Sequence, residues 1–197
     1  MDILLSMAIF ALVTSISPGP VNIIAAISAA NFGFYRSTPH ILGATAGFSL
    51  LLLIIGFGMG GILKQYPVIH DYLAWVGSLF ILYLSYKIAT MQPYAKDTSK
   101  LNTPPTIIEG LLCQWLNPKA WIVATSGIAV YAGHVDAYNE QIILLSITFF
   151  LICFPSISTW SLFGVVIGRL LNNATYFRFF NVSMGLILAI SVLVLLL

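Results

Sequence analysis

The chain has 197 residues, of which 7% are charged and 59% apolar or aromatic, with a net charge of +2 and a mean hydropathy of +0.99. A soluble domain carries about 25% charged residues, so these figures exclude an ordinary soluble fold and describe a polytopic membrane protein. The small, scattered positive charge is no footprint for nucleic acid, and no such partner is expected.

A bilayer core is crossed by roughly 20 apolar residues. Charges and turn residues divide the chain into six such segments, 4–30, 41–63, 73–90, 107–131, 141–167 and 177–197. The fold class expected is therefore all-α, with six transmembrane helices. The first segment has only Asp2 ahead of it and no basic flank, so it is read as a retained helix and not a signal peptide. Within it, "TSISPGPVNII" puts Pro18, Gly19 and Pro20 near the centre of an apolar run. The second segment holds the glycine pairs Gly43/Gly47 and Gly56/Gly60, and the third opens on "WVGSLFILYLSYKI". Next comes the one long polar stretch, "QPYAKDTSKLNTPPT". It makes 92–106 a linker between a first three-helix unit, 1–91, and a second, 107–197, in a single integral membrane domain. The fourth segment contains "QWLNPKAWIV", the fifth "CFPSIST" and the pair Gly164/Gly168, and the sixth "NVSMGLILAIS". Glycines spaced by four predict close helix packing and are also compatible with a homodimer. Cys113 and Cys153 fall in apolar runs without a CxxC, which suggests buried free thiols.

Orientation follows from Lys and Arg in short loops. Arg36, Lys87, Lys96, Lys100, Arg169 and Arg178 lie at one side and only Lys64 at the other. This places the three basic loops in the cytoplasm and both termini outside. Three spans per unit then make the two units enter from opposite sides, the condition for a 3+3 inverted repeat.

Ser17-Pro18 and Asn117-Pro118 each put a good N-cap before a proline, the usual start of a helix. Both lie near the centre of their spans, so helices 1 and 4 are expected to be broken near the bilayer midplane. A half-helix N-terminus carries roughly half a positive charge and unpaired N–H groups, and backbone of this kind is tolerated at such depth only beside protein or a wet cavity. Simple proline kinks are the competing reading. Lys119, in the middle of its span, costs on the order of 3 kcal/mol in lipid and points to function. The candidate substrate-binding residues are accordingly Ser17, Pro18, Gly19, Pro20, Asn117, Pro118 and Lys119. Asn22 and Gln114 join them as contacts for a substrate amine, although a helix–helix hydrogen bond explains either equally well. Tyr83, Tyr86, Trp115, Trp121 and Trp160 are read chiefly as interfacial or packing residues, and Pro155 as a kink that serves as a hinge.

The Pro18-Gly19-Pro20 triplet, "GATAG" at 43–47, "WVGSLFILYLSYKIA" and the Asn117-Pro118-Lys119 triplet together resemble the lysine exporter superfamily, in particular its homoserine/threonine branch. The likeness covers nearly the whole chain, and "LAWVGSLFILYLSYKIAT" with the asparagine closing "PGPVN" looks most like its cysteine/O-acetylserine exporters. The resemblance implies export of amino acids across the bacterial inner membrane, usually driven by protons, with no enzymatic activity, cofactor or metal. Relatives carry an acidic residue after the first-helix prolines or in helix 2, where this chain has Val21, Asn22 and Ser49. No Asp or Glu falls deep in a predicted span, which favours a neutral zwitterionic substrate over a cationic one. Lys119 and Glu109 remain as candidates for the proton-coupling group.

Two other readings compete. A membrane-embedded enzyme acting on a lipid or thiol would need a catalytic cluster, but His40, His70 and His134 lie near predicted loops, far apart and without metal-ligand spacing. A passive channel would need rings of charge or a carbonyl filter, and neither pattern is present. The expected mechanism is alternating access around a site between helices 1 and 4.

Overall fold

The computed structural model describes residues 2–59, 68–90, 103–132, 137–170 and 173–196, and all regular structure among them is helical. The helices are α1 (Asp2–Ile16), α2 (Pro20–Phe32), α3 (Phe34–Ile54), α4 (Val68–Ala89), α5 (Ile107–Trp115), α6 (Pro118–Tyr131), α7 (Tyr138–Leu170) and α8 (Ala174–Leu196). A π-helical turn, Ile55–Met59, extends α3. Two helical stretches, Phe34–Gly58 and Tyr138–Arg169, are long and apolar enough to cross a bilayer, and α1 and α2 meet the same test as a pair bent by 58°. Most of the expected 92–106 linker, with Lys96, Asp97 and Lys100, lies outside the described residues, as do Gly60, Lys64, His134 and Asp136.

Both expected helix breaks are present. In the first, the restart comes two residues later than the Ser17 cap predicts: Gly19 is the N-cap, in extended backbone (φ −174°), and Pro20 is the first helical residue. The reason is steric. A residue before proline is pushed out of the α region, so Pro20 bars Gly19 from a helix begun at Pro18, and the turn forms only beyond the second proline. The second break has one proline and follows the expectation. Asn117 caps α6 by accepting from the Lys119 amide at 3.1 Å, with Pro118 as the first helical residue.

Helix α3 begins seven residues ahead of the expected 41. Gly33, at φ +84°, turns the chain between α2 and α3 with no Cβ to strain it, and Pro39 is accommodated inside the helix. This extension carries His40 out of the predicted loop and into the core, 1% exposed. Apolar side chains cover the outer surface instead, among them Leu5, Leu79, Val130, Leu151 and Phe179, as expected where lipid is the solvent.

Glycines set the tightest helix contacts. A Cβ on Gly43 would collide with the Ile107 carbonyl, and one on Gly110 with that of His40, so α3 and α5 touch backbone to backbone. Gly164 and Gly168 of α7 lie in the same way against the carbonyls of Ala26 and Ala30 on α2. Of the glycine pairs offered above as a dimer surface, Gly43/Gly47 and Gly164/Gly168 are therefore packed within the chain, where lipid-solvated helices gain from close backbone approach. Between α3 and α7, Ser49 and Ser146 exchange hydrogen bonds, each hydroxyl donating to the other's carbonyl at 3.3 and 2.9 Å.

Gly164→Ala is expected to destabilise by about 1–3 kcal/mol through overpacking against α2. Gly58→Ala, with nothing within 4 Å of the new methyl, should stay within about 0.5 kcal/mol. Thermal unfolding in detergent compares them, and equal midpoints would contradict the α2–α7 contact.

Candidate functional site

A helix that stops inside a protein leaves its last carbonyls and first amides without helical partners. At the end of α1 these carbonyls are met one by one. The Asn22 side-chain amide donates to the carbonyls of Ser15 (2.8 Å) and Ser17 (2.9 Å), reaching back across the break from α2. The Trp160 indole N–H, from α7, donates to the Ile16 carbonyl at 2.9 Å. The Lys119 ammonium, from α6, donates to the Ser17 hydroxyl at 2.7 Å, to the Ser17 carbonyl at 3.2 Å and to the Pro18 carbonyl at 3.5 Å.

The break between α5 and α6 is finished by a similar device. The Trp121 indole donates to the Trp115 carbonyl at 2.6 Å, and the Trp115 indole donates to the Gly47 carbonyl of α3 at 3.0 Å. These three tryptophans brace the breaks, a role their composition did not disclose. Only the break itself, which demands donors, could have signalled it. Tyr83 and Tyr86 are exposed, in keeping with an outward-facing role.

Between the two breaks lies a cavity of about 40 Å³. Of the residues singled out in the sequence, Gly19, Asn22, Gln114, Asn117 and Lys119 line it. Ser17 and Pro18 meet it through Lys119, while Pro20 and Pro118 stand behind as the first residues of α2 and α6. Lining residues that the sequence did not single out for it include Thr14, Ser15, Phe48, Phe149 and Cys153. Lys119, half-buried, carries the only formal charge among the lining residues. At Gly19 an added Cβ would lie 3.3 Å from Nζ, so the glycine leaves the ammonium its room.

Of the two readings of Asn22, the helix–helix hydrogen bond is present: its amide nitrogen donates to two α1 carbonyls that the break leaves without helical donors, while the residue also lines the cavity. Glu109 does not line the cavity. It sits in the first turn of α5 in a capping box, accepting from the Thr106 amide at 2.7 Å while its own amide donates to the Thr106 hydroxyl at 3.2 Å. Helix α7 runs unbroken through Pro155, whose missing N–H leaves the Leu151 carbonyl without a helical donor. The hydroxyls of Ser156 and Thr159 bond back to the Ile152 and Pro155 carbonyls, an arrangement that softens a helix. Cys113 and Cys153 are both buried and unbridged.

Two broken helices meet at a small cavity of mixed polar and apolar lining within an apolar-surfaced helical bundle, an arrangement suited to a membrane translocator. Residues 12–197 match the family model described as LysE type translocator, and the chain belongs to the LysE family. It is similar to proteins named cysteine/O-acetylserine efflux protein. One from Escherichia coli O157:H7 is 27% identical over 91% of this chain and 90% of its own length. Those of Escherichia coli O1:K1 and strain K12 are 26% identical over the same shares. No solved structure matches. The family is one of translocators and not of enzymes, and the chain is a multi-pass membrane protein.

Trp121→Phe, which keeps a ring but removes the donor to the Trp115 carbonyl, is expected to cost about 1–3 kcal/mol. Asn22→Leu should cost more, because it strips two carbonyls at once. Unfolding midpoints in detergent test both, and a stable Asn22→Leu protein would show that the α1 end does not depend on this amide.

Proposed function

We propose that the protein exports a neutral amino acid or derivative from the bacterial cytoplasm, of the cysteine/O-acetylserine or homoserine/threonine type, driven by inward proton movement. The observation that carries this reading is the Lys119 ammonium of α6 lying on the broken end of α1 beside a cavity that both breaks line. The names of the relatives support the substrate class.

The chemistry suits a zwitterion. The end of α1 offers carbonyls and the Ser17 hydroxyl, the negative pole of a helix, and Lys119 now occupies acceptors that a substrate ammonium would take. The start of α2 offers the amides of Val21 and Asn22, which have no helical acceptor by position and belong to cavity-lining residues. Substrate binding is therefore an exchange. The substrate ammonium displaces Lys119 from Ser17, and the freed ammonium turns to the substrate carboxylate, which the α2 amides share. Side chains such as Phe48, Phe149 and Cys153 bound the remaining space and suit a small, uncharged substituent.

A cavity of about 40 Å³ holds two or three waters, at roughly 15 Å³ each. An amino acid needs the helices to part, which suits an alternating-access cycle. Six spans in two inverted units fit this cycle. Helices α4 and α8, with 22 and 23 residues, have the length of a span, and α5 and α6 mirror α1 and α2. The reciprocal pair Ser49 and Ser146 stands 97 residues apart, nearly the separation of the helix-starting Pro20 and Pro118. Exchanging the two units returns the α3–α7 and α4–α8 contacts to themselves. On this reading the site lies near the bilayer midplane, the basic loops and the 92–106 linker are cytoplasmic, both termini are outside, and Pro155 absorbs part of the rocking motion. The coupling proton is carried by Lys119 or through Glu109.

Purified protein in liposomes loaded with labelled cysteine, O-acetylserine, threonine, leucine or lysine gives the test. Saturable efflux of a neutral member, accelerated by an inward proton gradient, is expected. Efflux that rises linearly with concentration would identify a channel, and none for any member in folded protein would overturn the exporter reading. Lys119→Met is expected to lower transport by about 10- to 100-fold, the worth of a charge-assisted hydrogen bond of about 1.5–3 kcal/mol, with Lys119→Arg in between. Unchanged affinity and rate in Lys119→Met would remove the lysine from the site.

A further inference from the structure

We propose that the imidazole of His40, acting with the Glu109 carboxylate, is the site that binds the driving proton. The proposal rests on the proton-driven reading above and selects the Glu109 route over Lys119.

His40 lies roughly two turns into α3, fully enclosed; the Val21 backbone approaches one ring nitrogen as a loose hydrogen-bond partner, and the other nitrogen has none. A neutral imidazole always carries one donor and one acceptor, and leaving either buried and unmet is costly. Leucine or phenylalanine would fill the same space without that penalty, so packing alone does not account for a histidine here. An ionisable side chain inside a membrane protein is by default a functional candidate.

Its position joins the two broken helices. The ring faces the backbone of Val21, the second residue of α2, and the charge acting on it is Glu109 of α5. The adjoining residue, Gly110, lies directly on the His40 carbonyl. Other ionisable groups on the surrounding elements are few. Helix α2 has none and α5 adds only Cys113. Helix α7 has Tyr138, Glu140, Cys153 and Arg169, α6 has Lys119 and Tyr131, and α3 itself has Tyr35 and Arg36.

The α3–α5 contact joins one three-helix unit to the other and is held by Gly43 and Gly110. In this arrangement it excludes water from His40. Any rocking that opens the site must shift that contact, and the ring is then wetted. A proton adds to the lone pair of one ring nitrogen when the ring is open to one side and leaves when it is open to the other. Glu109 offsets part of the cost of enclosing the imidazolium in between. No other bond changes, and the imidazole is regenerated each cycle.

The test compares substrate efflux from proteoliposomes with and without an inward proton gradient, for the wild type, His40→Gln and Glu109→Gln. The expected ratio of driven to undriven efflux is well above one in the wild type, one in His40→Gln and intermediate in Glu109→Gln. A wild-type ratio in His40→Gln would overturn the proposal while leaving the exporter reading intact. A ratio of one in the wild type would overturn proton drive itself, and the role of His40 with it. Because a core variant can fail to fold, a second measurement uses the native ring. In a His70→Gln/His134→Gln protein, His40 is the sole imidazole, and its ring nitrogens are followed by nuclear magnetic resonance from pH 5 to 8 with and without substrate. A protonation state that changes with substrate supports the proposal. One that never changes with pH or substrate refutes it.

Discussion

A helix interrupted in lipid must find partners for the backbone groups it exposes, because hydrocarbon supplies none. The arrangement around the cavity answers that demand. At the end of α1 the partners are Asn22, Trp160 and Lys119, and two of the three come from helices more than a hundred residues away in sequence. The break in one part of the chain is thus completed by side chains from the other. A site assembled this way exists only in the folded molecule, and it stays coupled to the relative position of the two parts.

The helices of the two parts meet through backbone and side-chain contacts alike. Glycine backbone makes the closest approaches between early and late helices, at Gly43, Gly110, Gly164 and Gly168, and interlocking side chains such as Phe48 against Phe149, whose ring centroids are 4.7 Å apart, fill the space between them. Away from the breaks, polar links across them include the Ser49–Ser146 exchange, the Asn31–Asn181 pair at 3.0 Å, the Ser161 bond to the Ala25 carbonyl at 3.1 Å and the Tyr138 bond to the Gly56 carbonyl at 2.8 Å. Close backbone approach yields dispersion energy over a smooth surface.

Lys119 shows how the same constraint yields chemistry. Its ammonium satisfies the negative pole of α1 while the site is closed, so an otherwise costly buried cation is stabilised by the broken helix it completes. With no carboxylate among the lining residues, a ligand carrying both signs of charge can replace that interaction without adding net charge to the site. A cationic ligand would meet Lys119 unshielded.

The sequence by itself determined the membrane class, the helical fold, both helix breaks and the lysine beside the second. Each rests on a local cost: charge in lipid, a proline without an amide, a cap before it. It also placed Asn117 correctly as a cap, because one proline has one local solution. Two prolines in succession displaced the first cap from Ser17 to Gly19, a steric effect between neighbours that a search for cap residues overlooks. What only the tertiary structure decided is which groups meet. Trp160 reaches Ile16, Asn22 turns back to α1, Gly43/Gly47 and Gly164/Gly168 face inward, Glu109 lies away from the cavity, and His40 sits in the core because α3 begins before the last basic residue of its loop. Those outcomes follow from the crossing of distant helices, and no periodicity or spacing along one segment records which distant carbonyl a side chain will satisfy.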